Sequence, residues 1–257
     1  MVINHSLLLA DLELGGGVIL PSPEDTFYII DEAHHLPKVT RDHSSANVNI
    51  KGAIDWLTKL KETGDKMAKL IKSNAAISPS LKLGDDCQDL LIEMQKVSSF
   101  IENNQALYFN DKLKENNRFS RDDDASQYRF ENGIVPKNLK NWAEDLTELS
   151  KKCLSHCNKL YNLLMESVKD GDCQMFVAEP LLAEAGFMIQ RLENFNSLWK
   201  MYAKTDSEKG APMARWLEKT TGKRSDFLLS ASPIEVGFTL EDILWSKCEG
   251  AVLCSAT

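Results

Sequence analysis

Asp31 and Glu32 are adjacent carboxylates in the run Tyr28–His35, which reads YIIDEAHH. Tyr28, Ile29 and Ile30 have the aromatic and β-branched character of a strand covered on both faces. The two acids therefore stand at a strand's C-terminal tip, beside the crevice where open α/β sheets hold their ligands. One acid can hold a magnesium ion, through water, against phosphates. The other can position or deprotonate an attacking water. A rival use makes Asp31, His34 and His35 ligands of a hydrolytic metal, but adjacent histidines do not easily meet one ion.

A second stretch invites pairing with the first. Ala251–Thr257, AVLCSAT, is another apolar run ending in small hydroxyl residues, Ser255 and Thr257. Neighbouring strands of a compact nucleotide-binding sheet usually follow each other within about 40 residues. Here the interval is that of a whole domain. The interval is long enough for a unit that folds on its own.

The intervening pattern is helical. Val2–Ile3 reads as a strand, and Ser6–Leu12 as a short helix that Asn4 or Ser6 can cap. Gly15–Gly17 is a turn and not a phosphate loop, because no Lys-Ser/Thr follows it. Lys38–Asp42 predicts a connecting helix. Ile54, Leu57, Leu60, Met67, Leu70 and Ile71 mark a first long helix that tolerates Gly64, and Leu90, Met94, Val97 and Ile101 mark a second. Residues 110–127 are polar, a mobile loop by composition, and Asp122–Asp124 lacks the pattern of a calcium loop. Tyr128–Val135 alternates around Asn132-Gly133 and predicts a small hairpin. Pro136 suits the first turn of a long helix to about Val168, whose apolar stripe includes Cys153 and Cys157. Leu181 to Tyr202 repeats at near-heptad spacing in a fourth helix, and the stripes predict an antiparallel bundle. Lys59, Lys66 and Lys69 share an arc of about 80° on the first helix, a solvated face or a nucleic-acid-facing stripe.

The chain of 257 residues has a net charge of −8, which does not advertise a nucleic-acid binder. Residues 51–225 hold 27 Lys+Arg against 26 Asp+Glu, while the flanks hold 3 against 12. The acid excess thus belongs to the flanks. Asp11 and Glu13 break the one long apolar run, so neither a membrane span nor a signal peptide is expected. Six cysteines without such a signal fit free thiols in a reducing cytoplasm.

Asp31-Glu32-Ala33-His34 resembles the DEAH box of superfamily 2 helicases, and Ser255-Ala256-Thr257 resembles their motif III. A large helical insertion between the two is similar to the arch of the XPD/DinG family of iron–sulfur helicases. Val2–Leu12 resembles the strand-and-helix segment before the DEAH box, and Phe227–Trp245, with a strand, Pro233 and Leu240–Trp245, the return from the arch. The resemblance runs through the whole chain in order. It implies an α/β fold: an incomplete parallel-sheet, RecA-like P-loop NTPase lobe with an all-α arch inserted between the DEAH and SAT strands. Residues 1–45 would belong to motor domain 1, 46–225 to the arch, and 226–257 to the return into motor domain 1.

In the family's terms Glu32 would be the catalytic base and Asp31 the residue holding magnesium through water. His34, Ser255 and Thr257 would couple nucleotide state to DNA. Asn4, His5, Lys59, Lys66 and Lys69 are the candidates for nucleic-acid contact. The resemblance implies ATP and Mg2+, and an iron–sulfur cluster whose ligands would lie upstream of Asn4-His5. It also implies translocation on single-stranded DNA, usually 5′ to 3′, unwinding of forked DNA, replication or repair proteins as partners, and a monomer. No G-x-x-x-x-G-K-[ST] loop occurs in the sequence. The chain is therefore expected to be one piece of such a helicase, inactive alone. The alternative is a non-enzymatic helical module that binds DNA or protein on a degenerate nucleotide lobe.

Overall fold

The computed structural model describes residues 1–109, 127–206, 213–220 and 225–256. Thr257 and most of the polar stretch after Phe109, Asp122–Asp124 included, lie outside the described residues. The chain forms two compact units: Met1–Ser45, Asp206–Ala214 and Ser232–Thr257 in one, Ala46–Thr205 and Arg215–Ala231 in the other.

In the first unit, helix α1 (His5–Glu13) starts where the Oδ1 of Asn4 accepts the Leu7 amide at 2.8 Å. Strand β1 (Phe27–Ile30) leads through Asp31 and Glu32 into a tight 3-10 turn over Ala33–His35, and then helix α2 (Leu36–His43). The chain returns to β1 only as strand β6 (Gly250–Leu253), which pairs with it in parallel, Ile29 opposite Val252 and Ile30 opposite Leu253. The DEAH and SAT strands are thus neighbours, as their residues predict. Leu8, Leu9, Leu12, Leu20, Ile30, Leu36, Leu240 and Leu244 form the core beneath them.

Val2–Ile3 is not a strand: residues 1–4 have no regular structure, and Val2 is fully exposed. With no ladder partner, its backbone gains nothing from extension. Ser6–Leu12 is helical as expected.

The second unit is built on four helices, α3 (Ile50–Ile71), α4 (Asn74–Asn103), α6 (Lys137–Lys169) and α7 (Met175–Ala203), with a single turn, α5 (Gln105–Tyr108), between α4 and α6. Their stripes close on one core: Leu57, Leu60 and Met67 from α3, Leu83, Leu90 and Met94 from α4, Leu146, Cys153, Cys157 and Leu160 from α6, Leu192, Phe195 and Trp199 from α7. Each large apolar side chain so buried contributes about 1.5–3 kcal/mol. Gly64 permits close packing, since a Cβ there would lie 2.6 Å from Leu83.

This unit is not all-α. Strands β2 (Ala46–Asn49), β3 (Gln127–Arg129), β4 (Met213–Thr220) and β5 (Asp226–Pro233) form a sheet in the order β2-β5-β4-β3. Strand residues bury at a period of two, so no 3.6-residue stripe betrays them. The hairpin expected at Tyr128–Val135 does not form either. Asn132 (φ 51°) and Gly133 (φ 70°) do take the turn, but β3 pairs antiparallel with residues 216–218 of β4 instead. The chain beyond Pro136 is committed to α6, which leaves β3 no second arm.

The base of the unit is tied at one carboxylate. Asp226 accepts the amides of Lys51 (2.9 Å), Gly52 (3.1 Å) and Phe227 (2.7 Å). The first turn of α3 is thereby capped from a residue 175 positions away.

Candidate functional site

Strand β1 delivers Asp31 and Glu32 to its C-terminal tip because the parallel ladder ends there: the Cys254 amide donates to the Ile30 carbonyl and the Ala33 amide to the Cys254 carbonyl, each at 2.9 Å. Those two bonds fold the DEAH turn against the residue before Ser255. Asp31 is exposed and its Oδ1 accepts the amide of Glu32 at 2.9 Å. Glu32 holds a left-handed backbone (φ 49°, ψ 43°), a conformation that costs a non-glycine residue energy and clusters at functional sites.

The side chains of the two motifs meet on one nitrogen. His34 Nδ1 lies 2.9 Å from Ser255 Oγ and 3.2 Å from Glu32 Oε2. With Nδ1 protonated, it donates to the Glu32 carboxylate while the serine hydroxyl shares the same edge of the ring. His35 stacks on His34 at 3.9 Å between ring centroids. Glu32 and His34 are a little under half exposed, so the carboxylate is open to a water or ligand from the solvent side.

His5 Nε2 lies 3.0 Å from the Asp31 carbonyl and steadies the turn from behind. Asn4 is exposed and caps α1, so both residues have structural work at this tip. A cavity of about 520 Å³ runs along β1 from Met1–His5 to Asp31. Thr257, expected to join Ser255 in coupling, lies outside the described residues. In the other unit Lys59, Lys66 and Lys69 are all exposed on α3.

Two cysteines of the α6 stripe are core residues. Cys153 and Cys157 are fully buried, and Cys153 Sγ lies 4.0 Å from Cys87 Sγ on α4. Contact with the Cys87 thiol, and burial, push the Cys153 thiol far up; burial raises that of Cys157 to about 12. These are inert thiols. Among the described residues no group of three or more His, Cys, Asp or Glu is arranged to hold a metal ion.

Sequence reasoning passed over Asp11. Its side chain is almost fully buried and accepts the amides of Gly17, Val18, Ile19 and Leu20 at 2.5–3.2 Å. The Ile19 amide foremost, with those of Gly17, Leu20 and Val18, outweighs burial and holds the Asp11 carboxyl below its usual range. Gly15, Gly16 and Gly17 all have positive φ, which lets the chain curl around it. A signal was present: an aspartate in the last turn of a helix opposes the macrodipole and needs donors from elsewhere.

No family model matches the chain. It is 42% identical over 257 residues, its full length, to the ATP-dependent DNA helicase DinG of Photobacterium profundum. The chain carries a DinG-like sequence throughout. It is also 22% and 23% identical over 263 residues to the DinG helicases of Escherichia coli and Shigella flexneri. In each case the likeness takes in all of this chain but only 34–35% of the relative's length, so the chain spans about a third of the DinG proteins it matches. Among the described residues no helix is long and apolar enough to cross a membrane.

Proposed function

We propose that this chain is the part of an ATP-dependent DNA helicase that joins the DEAH box to motif III through an arch-like helical insertion. Residues 1–45 and 226–257 would serve motor domain 1 and residues 46–225 the insertion. The observation that carries the reading is the meeting of Glu32, His34 and Ser255 at the tips of two parallel strands, His34 and Ser255 being 221 positions apart. β1 is not covered on both faces as its residues lead one to expect: Phe27 (60%) and Ile29 (74%) are exposed, since the two-stranded pair with β6 shields only one side of it.

In this reading Glu32 takes the proton of the water that attacks the γ-phosphate, and the phosphate leaves as ADP departs on the opposite side. Asp31 suits magnesium: it is a single exposed carboxylate, and the ion accepts one or two carboxylates and fills its shell with water. Bound there, the ion neutralises phosphate charge. His34, Ser255 and Thr257 would pass the change in charge at Glu32 to the DNA-binding surface. Asn4, His5, Lys59, Lys66 and Lys69 remain proposed DNA contacts. Translocation 5′ to 3′ on single-stranded DNA, action on forked substrates with replication or repair partners, a cytoplasmic monomer and an iron–sulfur cluster held outside this chain complete the proposal. The cysteines of the bundle core do not suit such a cluster.

Glu32→Gln tests it, since glutamine keeps the size and loses the basicity. In the full-length protein, ATP turnover should fall on the order of 100- to 10,000-fold, the usual worth of a positioned base, with ATP·Mg and DNA binding retained. Near-normal turnover would remove Glu32 from the role.

A further inference from the structure

Among the described residues, two surface cavities on the helical unit are of opposite character. One, about 360 Å³, is lined by four carboxylates, Asp89, Glu93, Asp145 and Glu148, with Lys152 among them. A polyanion is repelled there. The other, about 220 Å³, lies at the base of the unit between β2, the start of α3 and the second half of α7. Asn47, Asn49, Trp56, Arg191 and Asn194 line it with the backbone of Gly52, and no carboxylate does. Asp226, which reaches the Gly52 amide, has both oxygens taken by backbone donors.

In a chain of net charge −8, an acid-free cavity of this composition is selective. Trp56 is half-buried and held edge-on to Phe195, ring centroids 5.9 Å apart at 90°, so its indole orientation is set before anything binds. Arg191 is exposed, with its guanidinium over the Phe187 ring at 4.2 Å. Asn194 Nδ2 donates to the Asn47 carbonyl at 2.7 Å, which fixes that amide at the rim. Each asparagine amide offers both donor and acceptor capacity, the mixture a base edge presents in return. Stacking on an aromatic ring, with a guanidinium for the adjoining phosphate, is how sequence-tolerant single-strand sites are built.

We propose that this cavity takes one unpaired base of single-stranded DNA against Trp56, with Arg191 on the neighbouring phosphate. This rests on the helicase reading and adds to it a contact point at the base of the insertion. The volume admits a single base, so duplex is excluded.

The test is made in the full-length protein with fluorescein-labelled oligothymidylate, and with a matched strand carrying abasic sites. Stacking of a base is worth about 1–3 kcal/mol by truncation, so Trp56→Leu should weaken the oligothymidylate Kd roughly 5- to 150-fold. The abasic strand should lose that dependence on Trp56. Arg191→Gln, at an exposed position that does not endanger folding, should weaken both strands. A 5-iododeoxyuridine strand should photocross-link to Trp56. Both variants binding as wild type does, with cross-links elsewhere, would overturn the cavity proposal and leave the helicase reading intact. Failure of the wild type to bind single-stranded DNA would overturn both.

Discussion

Asp226→Ala removes the carboxylate that closes the base of the helical unit. Asn49, the residue before α3, makes no side-chain cap bond, so the Lys51 and Gly52 amides depend on Asp226. A lost N-cap costs about 0.5–2 kcal/mol, and a lost negative charge at a helix N-terminus about 0.3–1 kcal/mol more. The expected loss is therefore about 1–3 kcal/mol. A domain of this size loses about 2–4 °C of Tm per kcal/mol, so the melting temperature should fall by about 2–12 °C. Circular dichroism at the helical minimum, followed during heating, reads this directly. Asp226→Asn keeps one acceptor oxygen and should recover about half. A Tm for Asp226→Ala within about 1 °C of wild type would refute the cap as a stabilising device.

Ser255→Ala removes one hydrogen bond to a half-exposed histidine, worth about 0.5–1.5 kcal/mol. DNA stimulation of ATP turnover in the full-length protein should drop roughly 2- to 13-fold, and an unchanged ratio would uncouple Ser255 from His34. Reversing Lys59, Lys66 and Lys69 to Glu should lower the slope of log K against log salt for single-stranded DNA by roughly 0.7 per lost phosphate contact. A folded triple mutant with the same slope would mark the stripe as merely solvated. Asp11 has its folded-state pKa depressed, so its contribution is full above the ordinary carboxylate pKa and is lost as pH falls through the lower folded value. Amide exchange at Gly17–Leu20 should accelerate in that acid window in wild type, whereas Asp11→Asn should exchange faster at neutral pH and lose the step.

What was legible was what repeats or what bears local chemistry. The stripes of α3, α4, α6 and α7 announced the bundle, because helical burial leaves a 3.6-residue trace. The tips of β1 and β6 could be matched because carboxylates and hydroxyls followed short apolar runs. Long-range partnerships of single polar side chains left no trace. Asp226 caps a helix through Lys51, 175 residues earlier, and Arg215, buried among the carbonyls of Met201, Lys204 and Gly133, ties its own strand to two other stretches. Neither has a neighbour in sequence that hints at its task. β3 was misread because Asn132-Gly133 carries the chemistry of a turn whether or not two strands flank it.

The parallel pairing of β1 with β6 also dictates an order of events at birth. At about 5–20 residues per second, β1 waits roughly 10–40 s on the ribosome before β6 is made. Throughout that interval Phe27 and Ile29 stand beside an open edge. Joining strand ends across a flexible loop of about 220 residues would cost roughly 5 kcal/mol in closure entropy. Once β2 has paired with β5, and Asp226 has found Lys51 and Gly52, only the short connections on either side remain flexible. These amount to about 33 residues, which lowers the closure cost by roughly 1.7 kcal/mol. The inserted unit thus acts as a folding clamp for the strands it separates: once the bundle has formed, joining the strand ends that carry Glu32 and Ser255 costs less.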